Sequence, residues 1–392
     1  MIILIILRHL QSLIIKYYMR EKKNIWIFLT TNNVGGAELR FFGLWKYANT
    51  KNIYDFNFYL VGSSLLFEAL INKEKENYKL ELRNSPNFFK YDLSGSYLNY
   101  KSQFKLFLKN NIAEKDILHF VDGHPLIKTD ARQIFSITQS SLRNLNIKGK
   151  ISQFIGAKYA DVVDVLDPNI FKLLKTLFFN KKNKVYITTN SYCDVDKFET
   201  LPFEDKKDWF VFLGRFEHLK QVDKLIDILP DIYNKIKGKF TNDLKFVFLG
   251  YGSMDDLLRE KIKKPSFKEI PILIQATLSP QDILKYSKFF FSLQLNNNYP
   301  SRSLIEAMCS GNIPICTDVG QTKWLAKPEF SFYVPEYFTF TDFEKVFNDM
   351  DKISKQDLTK KGALARQTVM NEHTIEKMFD YYFDKYKQLT SA

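Results

Sequence analysis

Two basic residues, Arg215 and Lys220, stand just past the apolar run Trp-Phe-Val-Phe-Leu-Gly at 209–214. A guanidinium offers a planar fork and an ammonium a compact point charge, so the pair suits a diphosphate. The alternative is a pair of solvated surface cations. A second stretch, residues 289–322, reads FFFSLQLNNNYPSRSLIEAMCSGNIPICTDVGQT. It runs from a buried strand (289–295) through a polar turn into a short helix capped by Ser301, with Leu304, Ile305 and Met308 on its apolar face. Gly311 stops that helix, and a strand over 313–317 follows. Backbone N–H groups at a helix start, beside the C-terminal end of a strand, suit an anion. Glu306, about one turn further in, cannot be a phosphate ligand but suits ribose hydroxyls. The stretch asks for a ligand with an anionic part and a sugar part. The alternative is an ordinary strand–helix–strand unit carrying a surface Glu.

Other candidates are more isolated. Gly35 and Gly36 precede a helix expected from about Ala37, and adjacent glycines let a backbone approach a ligand closely. His124 falls just past the expected strand 116–121, where catalytic side chains tend to sit, whereas His119 lies inside that strand and reads as core. The five histidines and three cysteines show no ligand spacing, so neither a protein-bound metal nor a disulfide is expected. Gly250-Tyr251-Gly252 lacks the third glycine of a dinucleotide fingerprint, and there is no P-loop.

These residues need a scaffold, and the pattern supplies an α/β one. Strands are expected at 24–30, 56–61, 116–121 and 184–189, then at 209–214 and 245–250, with helices between them, among them 97–110 and one starting at Asp167-Pro168. Ser279-Pro280-Gln281-Asp282 reads as a capping box. A chain of 392 residues exceeds one ordinary core. The expected parts are an amphipathic helix at 1–23, a domain at 24–200, a second at 201–371 and a closing helix at 372–392. Residues 1–20 place apolar side chains at helical spacing opposite Arg8, Lys16 and Arg20, which suits contact with an anionic membrane surface. The formal net charge of +13 points to an anionic partner, yet no nucleic-acid module is present.

In order and spacing these motifs resemble the retaining glycosyltransferases of family 4, whose GT-B fold has two facing Rossmann-like domains with parallel sheets flanked by helices. The resemblance rests on Gly35-Gly36-Ala37-Glu38, Asp116 to His119, Asn190 with Asp194 and Phe198, and Gly214-Arg215 with Lys220. It continues through Gly250-Tyr251-Gly252, Glu306-Ala307-Met308 with Gly311 and Pro314, and Thr317 to Gly320. It is strong over 209–325 and thin over 40–185. It implies a nucleotide-diphosphate sugar donor as substrate, no separate cofactor, and a glycan or lipid-linked acceptor in cell-surface polysaccharide synthesis. The implied location is the cytoplasm, peripherally on the inner face of the cell membrane. Arg215 and Lys220 would bind the diphosphate with help from backbone N–H groups at Ser301, Arg302 and Ser303. Glu306 would hold the ribose, and Gly35 and Gly36 would approach from the other domain. His124 is carried as a catalytic candidate, although Val121 occupies the place where the family's histidine is often found. Transfer would proceed with retention and without a protein nucleophile, leaving electrostatic stabilisation of the diphosphate as the main catalytic term. The family's first Glu is here Asn298, which can hydrogen-bond a sugar hydroxyl but carries no charge, and Gln221 and Gln321 replace common glycines. A sugar-nucleotide epimerase and a non-catalytic binding protein of the same fold are the alternatives.

Overall fold

The computed structural model describes residues 22–391 apart from 33, 52–54, 75, 92–96, 139–146, 179–183, 189–190, 241, 278 and 298. The expected helix at 1–23 therefore lies outside the described residues except for its last two, and Lys23 already opens a strand. Asn190 and Asn298 lie outside them too. The chain forms two compact units: Met1–Thr188 with Phe379–Ala392, and Thr189–Met378. Their limits fall at 188 and 378, where the sequence had suggested 200 and 371.

Unit 1 holds β1 (Lys23–Leu29), β2 (Phe56–Gly62), β3 (Phe88–Lys90), β4 (Ile117–Val121), β5 (Arg132–Ile137), β6 (Val162–Val165) and β7 (Val185–Ile187). All pairings are parallel, in the order β3-β2-β1-β4-β5-β6-β7. Unit 2 holds β8 (Lys207–Leu213), β9 (Lys245–Leu249), β10 (Ile272–Gln275), β11 (Ser287–Ser292), β12 (Ile313–Thr317) and β13 (Phe332–Val334). These are parallel in the order β10-β9-β8-β11-β12-β13. Each sheet reverses its strand order once, between β1 and β4 and between β8 and β11, and the crevices at such reversals are where open α/β sheets bind ligands.

The abundant phenylalanine has a place in this design. In β9, β8 and β11, Phe246, Phe210 and Phe289 lie side by side in register. Their rings stack at 5.6 and 4.6 Å, giving the core of unit 2 an aromatic ladder. The loops after β8 and β9 are also fixed against each other. Phe216 N–H donates to Tyr251 O (3.0 Å), and Met254 N–H donates to Phe216 O (3.1 Å). Gly250 adopts φ +153°, and a Cβ there would meet Gly214 O at 1.9 Å. Gly250-Tyr251-Gly252 is therefore a packing motif, and what it positions is the Arg215 loop. The expected capping box at Ser279 is not formed. Ser279 N–H is held by the Thr277 hydroxyl (3.0 Å), and the helix starts later, at Gln281–Leu284, without a side-chain cap.

In unit 1 the helix Ile375–Ser391 buries Tyr382 and Tyr386 completely. Tyr386 Oη lies 2.7 Å from His119 Nδ1, and His119 Nε2 lies 2.7 Å from Ser136 Oγ. Ser136 donates to Asp164, which also accepts from Tyr382 (2.9 Å). Burial, then the Arg40 charge, lowers His119 to about 3. Burial raises Asp164 to about 6, against the Ser136 and Tyr382 hydrogen bonds and the Arg40 charge.

His119 contributes stability that is complete above its ordinary value near 6.5 and is lost as pH falls toward 3. Asp164 contributes stability that is complete below its ordinary value of 3.8 and is lost as pH rises through 6. Across pH 4–6 the two oppose each other. Asp164→Asn keeps an acceptor for Tyr382 but removes one of the opposing terms, so its stability should fall more steeply than wild type on acidification, by about 1.4 kcal/mol per pH unit. Parallel stability–pH curves from denaturant melts would show that Asp164 titrates normally. Gly250→Ala should cost at least about 2 kcal/mol in the same melts, because the new methyl and the left-handed φ both strain the turn. A wild-type midpoint would contradict the packing role.

Candidate active site

In unit 2 the two loops flanking the strand-order reversal carry the basic pair and the helix start. After β8 come Gly214 and Arg215, then a 3-10 turn, His218–Lys220, and a helix, Val222–Asp227. The Arg215 guanidinium is mostly exposed and pairs with Glu217 at 2.9 Å. Lys220 is half-buried. Burial first, and the Arg215 charge second, bring its ammonium down to about 8, with Glu217 opposing. Gln221, between turn and helix, sits at φ +50°, a conformation that favours glycine. Its side chain is anchored there by donating to Glu336 O (2.9 Å). Leu295 N–H donates to Leu219 O (3.0 Å) and ties this turn to the loop after β11.

That second loop is held from several sides. Thr317, the last residue of β12, accepts from Gln294 N–H (2.7 Å) and donates to Gln294 O (2.9 Å). Asn297 Oδ1 accepts from the N–H groups of Tyr299 and Gln321, both at 3.2 Å, and its amide donates to the Gln321 side chain. The Tyr299–Pro300 peptide is cis. Ser301 occupies the N-cap position of the helix Arg302–Cys309, but its hydroxyl caps no N–H and lies 3.4 Å from Ser303 Oγ. Arg302 Nε donates to Glu306 Oε1 at 2.8 Å, one helical turn on. Glu306 is only 8 % exposed, and its second oxygen has no hydrogen-bond partner among the described residues. Arg302 thus holds the Glu306 carboxylate through one of its two oxygens.

In unit 1 the strand-order reversal is flanked by the loops after β1 and β4. Gly35 N–H donates to Glu38 Oε2 (2.8 Å), and the Thr31 hydroxyl donates to Glu38 Oε1 (2.9 Å). Gly36 opens the helix Gly36–Thr50 with open space where a Cβ would be. A pocket of about 370 Å³ lies at these strand ends, lined by Phe28, Thr31, Ser63, Tyr91, Phe104 and Phe120 among others.

His124 is buried, with Nε2 2.7 Å from Gln133 Oε1 and Nδ1 accepting from Leu126 N–H at 2.9 Å. Burial lowers it to about 4, against the Gln133 hydrogen bond and with the Lys184 charge adding a little. Both ring nitrogens are thus engaged inside unit 1, by Gln133 and by Leu126, where the sequence had pointed to an open catalytic position. Its neighbour Asp122 was not singled out from sequence. It adopts φ +55° and holds the loop by accepting from Thr138 N–H at 2.6 Å. No spacing signal marks such a role. Among the described residues no group of three or more His, Cys, Asp or Glu could hold a metal ion. A cavity of about 430 Å³ in unit 2, lined by Pro202, Lys206 and Gly311, opens at the opposite strand ends, and Lys206 there is bonded to the carbonyls of Ser287 and Ser310.

Residues 195–356 match the family described as glycosyl transferases group 1. An uncharacterized glycosyltransferase of Methanocaldococcus jannaschii is 27% identical over 239 residues, which is 57% of this chain. The match spans 56% of that relative's own length. Among solved structures, a glycosyltransferase from Rickettsia africae superposes with TM-score 0.69 at 15% identity, covering 94% of this chain and 99% of its own. Sucrose-phosphate synthase from Thermosynechococcus elongatus gives 0.70 at 11%, covering 94% and 100%. The Anabaena protein HepE, solved with UDP, gives 0.67 at 11%, covering 93% and 100%. Likenesses at such low identity speak to fold alone, and the fold they share is the two-domain GT-B architecture. The chain therefore carries a glycosyl transferases group 1 domain over residues 195–356, set within a GT-B fold.

Proposed function

We propose that the chain is a retaining glycosyltransferase of the family 4 type. It would move a sugar from a nucleotide-diphosphate donor to a glycan or lipid-linked acceptor in cell-surface polysaccharide synthesis. One observation carries this reading. The strand-order reversal of unit 2 brings Arg215, Lys220 and the start of the Glu306 helix onto two loops joined by the Leu295–Leu219 hydrogen bond. A neighbour of the same fold was solved with UDP, which supports a nucleoside diphosphate as the ligand class.

In this reading Arg215 and Lys220 meet the diphosphate, aided by N–H groups at Ser301, Arg302 and Ser303. A diphosphate beside Lys220 would counter the lowering by burial and Arg215 and favour the ammonium form. Glu306, steadied by Arg302, accepts from the ribose hydroxyls. Asn298 bonds a sugar hydroxyl, and in unit 1 Gly36, beside Gly35, leaves open space where a Cβ would be. As the sugar bond breaks, the diphosphate gains negative charge, so fixed cations bind the transition state more tightly than the substrate. The site then works without a protein-bound metal. Residues 1–20 give peripheral contact with the inner face of the cell membrane. The second reading, a binding protein without turnover, is favoured by the neutral Asn298 where the family has Glu.

Incubation with a panel of sugar nucleotides, with released nucleoside diphosphate as readout, separates the two. Release that survives EDTA is expected from the wild type. Hydrogen bonds to charged groups contribute roughly 1.5–3 kcal/mol each, so Arg215→Ala and Lys220→Ala should each slow turnover by about 10- to 100-fold. Glu306→Gln should mainly weaken nucleoside diphosphate binding. Near wild-type turnover in both cation variants would sink the proposed clamp, whereas diphosphate binding with no release from any donor would favour the binding protein.

A further inference from the structure

Unit 1 carries a second unusual surface, away from the strand-order reversal. The helices Ile147–Tyr159 and Pro168–Leu177 connect β5 to β6 and β6 to β7, three neighbouring parallel strands. Successive right-handed crossovers place both on one face of the sheet. They adjoin there, with the Phe154 and Phe178 rings stacked at 5.8 Å. Ala157, Ile170 and Leu174 are buried in the core, so each helix is already docked by its inner side.

The outer sides are apolar as well. Ile147 is 75% exposed, Ile151 53% and Phe154 38%, at spacings of four and three that make one helical face. On the neighbouring helix, Leu173 and Leu177 are each 46% exposed. Single exposed apolar residues are ordinary, but five on two adjoining helices call for a partner. Neither helix contains an Asp or Glu, while Lys150, Lys158, Lys172 and Lys175 are exposed on them. The acids just outside already have partners, although Asp161 stays partly exposed. Asp161 pairs with Arg132 and accepts from Gln133 N–H, and Asp167 caps its helix.

We propose that this face seats unit 1 on an anionic lipid bilayer, with Ile147, Ile151, Phe154, Leu173 and Leu177 in the apolar boundary and the lysines among the headgroups. The charge pattern selects this occupant. Residues 1–20 contain Arg8, Lys16 and Arg20 and no acid, so docking them here sets like charges together. A second copy of the same face sets lysine against lysine. A bilayer with anionic headgroups offers apolar depth and negative charge in one partner, and long lysines can keep their ammonium groups at headgroup level. The surface is distinct from residues 1–20 and from the donor site, and its test does not depend on turnover.

The full chain is mixed with phosphatidylcholine vesicles containing one-third phosphatidylglycerol, or none. Partitioning onto the anionic vesicles, weakened by salt, is expected. The double variant Ile151→Glu/Leu173→Glu, both sites exposed, should keep the wild-type melting temperature and lose roughly tenfold or more in partitioning. In Phe154→Trp, lipids brominated on their acyl chains should quench the added emission, which reports on this face whether or not residues 1–20 also bind. Absence of anionic-vesicle binding, equal partitioning of the double variant, or no extra quenching at position 154 would each overturn the proposal. So would a self-associating wild type whose double variant becomes monomeric without any vesicle binding, since that assigns the face to a second copy.

Discussion

A sheet in which all strands run the same way sorts its connections by edge. Every strand here must return by a crossover, so the turns leaving the strands gather on one side of each sheet. Where the order reverses, the two flanking turns lead their chains to opposite faces and leave a gap. In unit 2 those turns are the ones after β8 and β11, and the rest of the candidate site follows from that placement. The cations, the helix start and the buried carboxylate come from residues nearly a hundred positions apart, brought together because β8 and β11 are neighbours. Gly250 and Thr317, from the adjacent strands, then fix these turns by close packing and by hydrogen bonding.

The site's irregular residues show how side chains can do a glycine's work. Gln221 holds a left-handed backbone by reaching across to Glu336 O. Gln321 takes part in a small knot with Asn297, against which Gly320 packs so tightly that a Cβ would meet Asn297 Cβ at 2.5 Å. Such anchors tie these loops to their own neighbours, and a loop held on several sides keeps its polar groups aimed without a ligand to organise them.

What the sequence revealed depended on how cleanly each segment declared its surroundings. The central strands of unit 2, β8, β9, β11 and β12, are apolar runs buried over most of their length and bounded by Gly or polar turns. The expected strand at 313–317 is β12, and those at 209–214 and 245–250 lie within a few residues of β8 and β9. Unit 1 was harder to read for a physical reason. β5 and β6 place Ser136 and Asp164 in the interior, where the tyrosines of a helix more than two hundred residues away satisfy them, so their runs are interrupted by polar residues whose partners are invisible locally. The helix Ile147–Tyr159 is apolar on both sides, which blurs its period. The basic pair and Glu306 stood out in the sequence because each type suits an anion or a sugar at a strand-to-helix turn, and the structure places all three in the connections after β8 and β11. The partners of His124 were not legible: Gln133 and Leu126, which engage its ring, could not be inferred from spacing.

Unit 1 is also interrupted. Its last segment, Phe379–Ala392, reaches it only after the whole of Thr189–Met378 has been threaded through a different unit. Since a chain is made from its N-terminus, all of unit 2 is available to fold before Tyr382 and Tyr386 exist. During that interval His119, Ser136 and Asp164 stand among apolar strands without the hydroxyls that later satisfy them. The order of synthesis thus lets the insertion fold before its host is complete, because the helix that carries Tyr382 and Tyr386 into unit 1 is made after it.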